Sequence, residues 1–168
     1  HYNLPPSELF ISGLIHDIGK LVMLMAFPAG YPILHEHSLA NHFQSMGSEV
    51  EEFGTGHDDV GFELAQRWQL PDPLCSAIGF HHKPQEAIKH RQHPLIIQVA
   101  DLLSLIYCCS DISDPEDVEQ LFFDFLPETS EVWRQNGLPL KPEDLSLWFR
   151  TLKESREREP QLLNLLNN

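Results

Sequence analysis

The chain has 168 residues, 42% of them hydrophobic, with 25 acidic against 11 basic side chains and a formal net charge of -14. That length suits one domain, and that apolar content supports a core and excludes a globally disordered chain. So large an acidic excess excludes broad binding to nucleic-acid backbones, which needs Lys/Arg surfaces, and an anionic ligand would require a local positive centre.

The opening His1-Tyr2-Asn3-Leu4-Pro5-Pro6 lacks the basic and apolar regions of a signal peptide and reads as the middle of a longer chain. No apolar run reaches the ~18 residues of a membrane span. Cys75, Cys108 and Cys109 match neither a disulfide framework nor zinc-finger spacing. They read as small buried hydrophobes in a reducing, cytoplasmic setting.

Pro5 and Pro6 beside Glu8 start a helix that runs to about Ala26 and stops at Pro28 and Gly30. It is apolar nearly all round, the pattern of a central helix. Its middle, Gly13-Leu14-Ile15-His16-Asp17-Ile18-Gly19-Lys20, sets a His-Asp pair inside the apolar run. An ionisable pair there must be satisfied, either by a buried hydrogen bond or by a metal ion. Gly13 and Gly19 leave room for close helix packing or for a ligand.

A second helix is expected over Tyr31–Met46, with His35, His37 and His42 on its surface or rim. Ser48 and Glu51 offer a capping box for a short segment after it. The turn Gly54-Thr55-Gly56 leads into a helix over Asp58–Gln69, with His57 at its start. A histidine there can present a ligand to a cleft or act as a weak cap. After Leu70-Pro71-Asp72-Pro73 comes a helix over Leu74–Phe80 that ends in His81-His82-Lys83. Adjacent helical side chains point about 100° apart, so two neighbouring histidines share a site only at a terminus or across two metals. A polar loop over Gln85–His93 precedes an apolar helix, Pro94–Tyr107, whose one charge, Asp101, needs a partner. From Asp111 the composition turns acidic, with helices expected over Glu116–Phe125, Ser130–Gln135 and Pro142–Arg158. No alternating apolar pattern predicts a sheet. The organisation is a core over 1–110 and an extension over 111–168 packed on the same domain.

His16, Asp17, His57, His81, His82 and Asp101 are therefore the polar residues that demand an explanation. Imidazoles and carboxylates without thiolates suit Fe, Mn, Zn or Ni. Six such groups suit two neighbouring metals bridged by a carboxylate, an arrangement that can activate water and stabilise both oxygens of a cleaving phosphoester.

These stretches, with Phe53-Gly54-Thr55-Gly56-His57-Asp58-Asp59-Val60-Gly61, Trp68-Gln69-Leu70-Pro71 and Val99-Ala100-Asp101, resemble the HD superfamily of metal-dependent phosphohydrolases, and within it the HDOD group of bacterial signalling domains. The resemblance implies an all-α, HD-domain-like helical bundle with additional C-terminal helices. It implies His16 and Asp17 as the signature doublet, with Asp17 bridging. His57, His81, His82 and Asp101 match ligand positions of the two-metal relatives that cleave cyclic dinucleotides. Lys20 resembles the lysine those relatives set against a substrate phosphate, making Asp17 and Lys20 the catalytic candidates; a solvated helix-face lysine is the alternative. HD hydrolases draw one more histidine from an upstream helix, expected here outside this stretch. His81-His82-Lys83-Pro84 lacks the Asp-Gly-x-Gly-Tyr-Pro of the HD-GYP phosphodiesterases.

The expected function is a cytoplasmic regulatory module with one or two divalent transition metals. It would act through a partner signalling protein or a neighbouring domain, without duplex nucleic acid or membrane. The alternative is an active phosphohydrolase for a nucleotide or cyclic dinucleotide, with Lys20 and Lys83 neutralising phosphate. A third reading is a metal-free fold whose polar residues hydrogen-bond to one another.

Overall fold

The computed structural model describes residues 4–34, 45–109, 115–138 and 140–166. The described residues are helical throughout and contain no strand, as the absence of alternating patterns predicts. Two compact units divide the chain, His1–Ala100 and Asp101–Asn168.

In the first unit the long N-terminal helix is two helices, α1 (Pro6–Ile15) and α2 (Ile18–Ala26), separated at the His16-Asp17 doublet. Asp17 leaves the helical region with φ -94° and ψ 14°, and its carbonyl accepts from the Lys20 amide at 2.9 Å. Residues 31–34 are helical. Then follow α3 (Ser45–Phe53), α4 (His57–Arg67), α5 (Asp72–Phe80), a short 3-10 turn (Pro84–Glu86) and α6 (Gln92–Cys109). The unit division falls within α6. The sites expected at His35, His37 and His42 lie outside the described residues. Ser48, expected at a helix start, sits inside α3.

Helix α4 is the hub of this unit: it packs against α2 on one side and α5 on the other, while α1 packs against α5. Ala65, Cys75 and Ile78 form a buried cluster, sealed by Ile15, Ile18, Phe62 and Leu70. The α2–α4 approach is close enough that glycine is obligatory. A Cβ on Gly19 would collide with the His57 carbonyl, and one on Gly61 would come within 2.8 Å of Ile78. Gly13 is under no such constraint, since its Cβ would meet only Ile97 at an ordinary 3.9 Å.

The N-terminal helices are not central, contrary to their all-round apolar pattern. Ser12, Gly19 and Met23 are buried, but Phe10, Leu14, Leu21 and Met25 are between 58% and 83% exposed. The packing partners of α1 and α2 cover one side, so the remaining apolar positions face outward. Over Pro6–Ala26 the mean hydropathy reaches 1.6, enough by length and composition alone to cross a membrane. By that measure the stretch exceeds the expectation that no apolar run is long enough, because the measure averages over His16, Asp17 and Lys20 at its middle.

The second unit contains the end of α6, then α7 (Pro115–Phe125), α8 (Thr129–Gln135) and α9 (Pro142–Leu166). Helix α9 packs along α7. Its core is Val118, Phe122, Trp133, Leu138, Leu145 and Phe149, all nearly solvent-free. Ser146 donates to Glu119 at 2.7 Å across the α7–α9 seam. Cys75 is buried as expected, whereas Cys108 is exposed on the last turn of α6. The side chain of Cys109 lies outside the described residues.

Candidate metal centre

Three helix ends meet at one point. The break between α1 and α2 supplies Asp17, the first turn of α4 supplies His57, and the C-terminus of α5 supplies His81 and His82. One ligand atom from each of these four lies within 4.8 Å of all the others. Nε2 of His57 is 3.2 Å from Oδ1 of Asp17 and 3.1 Å from Nε2 of His82, while Nε2 of His81 is 3.7 Å from the same Asp17 oxygen. Ligands bound at the 2.0–2.1 Å typical of zinc stand about 3.3 Å apart on a tetrahedron. Three of the spacings, 3.1, 3.2 and 3.7 Å, are near that value, and the whole group, within 4.8 Å, could hold one ion once drawn in around it. The terminus at His81 also resolves the two-neighbour problem: with the helix ending there, both rings turn into the site, their centroids 4.0 Å apart.

The hydrogen bonds orient these rings for a cation. His81 Nδ1 donates to the Ile78 carbonyl at 2.8 Å, and His57 Nδ1 donates to Glu49 at 2.7 Å. Each neutral ring then presents an Nε2 lone pair inward. Nε2 of the fully buried His81 has no hydrogen-bond partner, an expensive condition that a metal ligand bond relieves. The residues present therefore fit a divalent transition metal with imidazole and carboxylate ligands.

Burial opposes charge on every group here, and the neighbours decide which groups overcome it. The carboxyl of Asp17 is held far below the usual range against its burial, by a hydrogen bond from His57 and the charges of His16, Lys20 and His57. His57, although buried, is pushed up to about 9 by hydrogen bonds to Asp17 and Glu49 and by their charges. Burial first, then the neighbouring imidazoles, push His81 down to about 4 and His82 down to about 2. Without a metal, then, a single proton on His57 serves as the cation between two carboxylates.

Two of the six expected ligands fall outside the group of four. His16 borders it: its ring centroid is 4.9 Å from that of His81, its Nε2 is 3.5 Å from Asp17 Oδ2, and its Nδ1 hydrogen-bonds the Gly13 carbonyl at 2.8 Å. Asp101 is half-buried on α6 at the start of the second unit. Lys20 reaches Asp17 itself, donating to Oδ2 at 2.6 Å. Lys83 is tied to α4 through Asp58 at 3.1 Å and Asp59 at 3.2 Å. A separate cavity of about 610 Å3, lined by residues such as Phe62, Leu70, Phe80 and Lys89, shares no lining residue with the group.

Glu49 is the site residue that the sequence reading passes over. It is 2% exposed on α3 and accepts three hydrogen bonds: from the Tyr31 hydroxyl at 2.7 Å, the His57 backbone amide at 2.8 Å and the His57 ring. In sequence it stands between Ser48 and Glu51 in a polar stretch with two other glutamates nearby, so nothing local distinguishes it.

An all-helical unit that gathers a His-Asp doublet and three further histidines defines an HD-related module. Residues 2–84 match the HDOD domain, and this stretch is HDOD-like. It is 33% identical over 94 residues to an uncharacterized protein of Treponema pallidum (strain Nichols), covering 56% of this chain and 18% of that protein. It is 29% identical over 93 residues to ribonuclease Y of Aquifex aeolicus (strain VF5), covering 55% of this chain and 12% of the enzyme. The chain thus spans less than a fifth of either relative. A crystal structure from Shewanella amazonensis SB2B, provisionally described as a phosphohydrolase, superposes with a TM-score of 0.63 at 20% identity, over 88% of this chain and 51% of that one. At that identity the match shows the HD-like helical fold.

Proposed function

We propose that this chain is an HDOD-type regulatory module whose Asp17, His57, His81 and His82 hold one divalent transition metal, with His16 beside them. The observation that carries this reading is the convergence of four ligand atoms within 4.8 Å of one another, with the outer nitrogens of His57 and His81 already hydrogen-bonded. A metal bound there would supply a positive charge able to polarise a phosphate or a bound water. The two lysines beside the site are otherwise engaged: Lys20 with Asp17, and Lys83 with Asp58 and Asp59. That favours a regulatory role over the alternative, a phosphohydrolase acting on a nucleotide or cyclic dinucleotide with Asp17 and Lys20 as its catalytic pair. A partner signalling protein or neighbouring domain is the target of the module. The exposed Phe10 and Leu14 on α1 and Leu21 and Met25 on α2 support this, because large exposed apolar side chains gathered on a surface mark interaction sites. The proposed setting is the cytoplasm, in keeping with unpaired Cys75 and Cys108.

Elemental analysis of protein purified without chelators is the test. The expected result is about one transition-metal ion per chain, lost in Asp17→Ala, with no Asp17-dependent hydrolysis of a chromogenic phosphodiester. Protein that carries no metal under these conditions overturns the metal reading. Turnover that disappears in Asp17→Ala establishes the hydrolase instead.

A further inference from the structure

We infer that Glu49, seated by Tyr31, is a positioning residue for the metal centre: it holds the His57 ring with Nδ1 protonated so that Nε2 is delivered to the ion. The inference rests on the metal reading above and adds an outer layer that the ligand set does not contain.

A fully buried carboxylate is costly unless its lone pairs are used. Glu49 uses both oxygens. Oε1 accepts from Tyr31, and Oε2 accepts from both the backbone amide and the ring Nδ1 of His57. Holding one residue by its backbone and its ring together fixes the side-chain torsions as well as the tautomer. Metal-bound histidines commonly donate their outer N–H to such a carboxylate, which raises ligand basicity and sets ring orientation. Of the three histidines in the group, His57 has a charged outer partner, while His81 has the neutral Ile78 carbonyl. Tyr31 in turn prevents the carboxylate from rotating away, and its own hydroxyl is held protonated well above its usual range by burial and by Glu49.

The competing explanation is purely architectural. Glu49 receives the first amide of α4 and would be a remote helix cap, linking α3 to α4 with no effect on the metal. The two differ in what a neutral isostere does. Glu49→Gln keeps the shape and an accepting oxygen but removes the charge.

The experiment measures Zn2+ affinity by competition with a chromogenic chelator, for wild type, Glu49→Gln and Tyr31→Phe. Thermal melting of the metal-free proteins is recorded in parallel. Glu49→Gln should weaken Zn2+ binding by about 10–100-fold, and Tyr31→Phe by less than about 10-fold. Unchanged affinity in Glu49→Gln, whatever its melting temperature, overturns the inference. A second readout needs no metal. The short charged bond should give a downfield, slowly exchanging His57 Nδ1 proton in NMR spectra of the wild type, absent in Glu49→Leu. If wild type binds no Zn2+, the proposed function fails. The proton signal then judges Glu49 separately, and its absence from wild type also overturns the inference.

Discussion

Gly19 lies against the main chain of His57 so closely that the α-carbon can carry no side chain. This contact locks the Asp17–Lys20 turn to the first turn of α4, and so sets the separation of two metal-ligand candidates. Gly19→Ala would improve helix propensity by up to about 1 kcal/mol in isolation. Here the obstacle is backbone, which cannot rotate aside, and overpacking of this kind costs about 1–3 kcal/mol or more. The expected outcome is a net loss of stability in urea denaturation, together with weaker metal binding. The same substitution at Gly13, where Ile97 is 3.9 Å from the added carbon, should be tolerated.

Lys83 follows the two histidines immediately and anchors them to α4. Its partner Asp58 is 1% exposed, so removing the lysine leaves a buried carboxylate with one fewer counter-charge. Complete loss of a buried pair is worth about 3–5 kcal/mol, and the partial exposure of Lys83 reduces this. Lys83→Ala should therefore destabilise by about 1–2 kcal/mol, measured by urea denaturation. It should also weaken metal binding by loosening His81 and His82. Asp59, well exposed, should matter little: Asp59→Ala is expected to be near neutral.

The metal-free protein should be most stable near pH 6.5. Below that value the unfolded chain protonates His81 and His82, which the fold holds down at about 4 and about 2, so stability falls as pH decreases. Above it the folded chain keeps a proton on His57 up to about 9 that the unfolded chain has already released, so stability falls again as pH rises. Metal must displace that proton. Its affinity should rise about tenfold per pH unit between roughly 7 and 9, then level off, with one proton released per ion bound in this window. Isothermal titration in buffers of different ionisation enthalpy measures the proton directly, and release of none would contradict this account of His57.

Leu14 is 72% and Met25 83% exposed, although both belong to the most apolar stretch of the chain. Leu14→Gln and Met25→Gln should each change stability by less than about 0.5 kcal/mol, because neither loses buried contacts. A cost above about 1.5 kcal/mol in chemical denaturation would mean that these side chains are covered in solution. Sedimentation of both variants against wild type would then show whether the cover is a second copy.

The sequence by itself determined the helical class and the positions of most helices, and its six candidate ligands include the four that the fold brings together. Helical periodicity and caps are local, and His57, His81 and His82 stand at helix ends marked by glycine and proline turns. The HDOD signature lies in that same linear order. The tertiary structure alone decided three further matters. It broke the first helix at His16-Asp17, because Asp17 turns into the site while Gly19 closes on α4. It left α1 and α2 apolar on the outside, since periodicity reports which positions are apolar but not how many sides are covered. And it matched Glu49 to His57, a pairing set by how helices cross rather than by any pattern along the chain. A buried carboxylate and an exposed one look the same in sequence. Which one carries a hydrogen bond to a metal-ligand histidine depends on what the fold brings within about 3 Å of it.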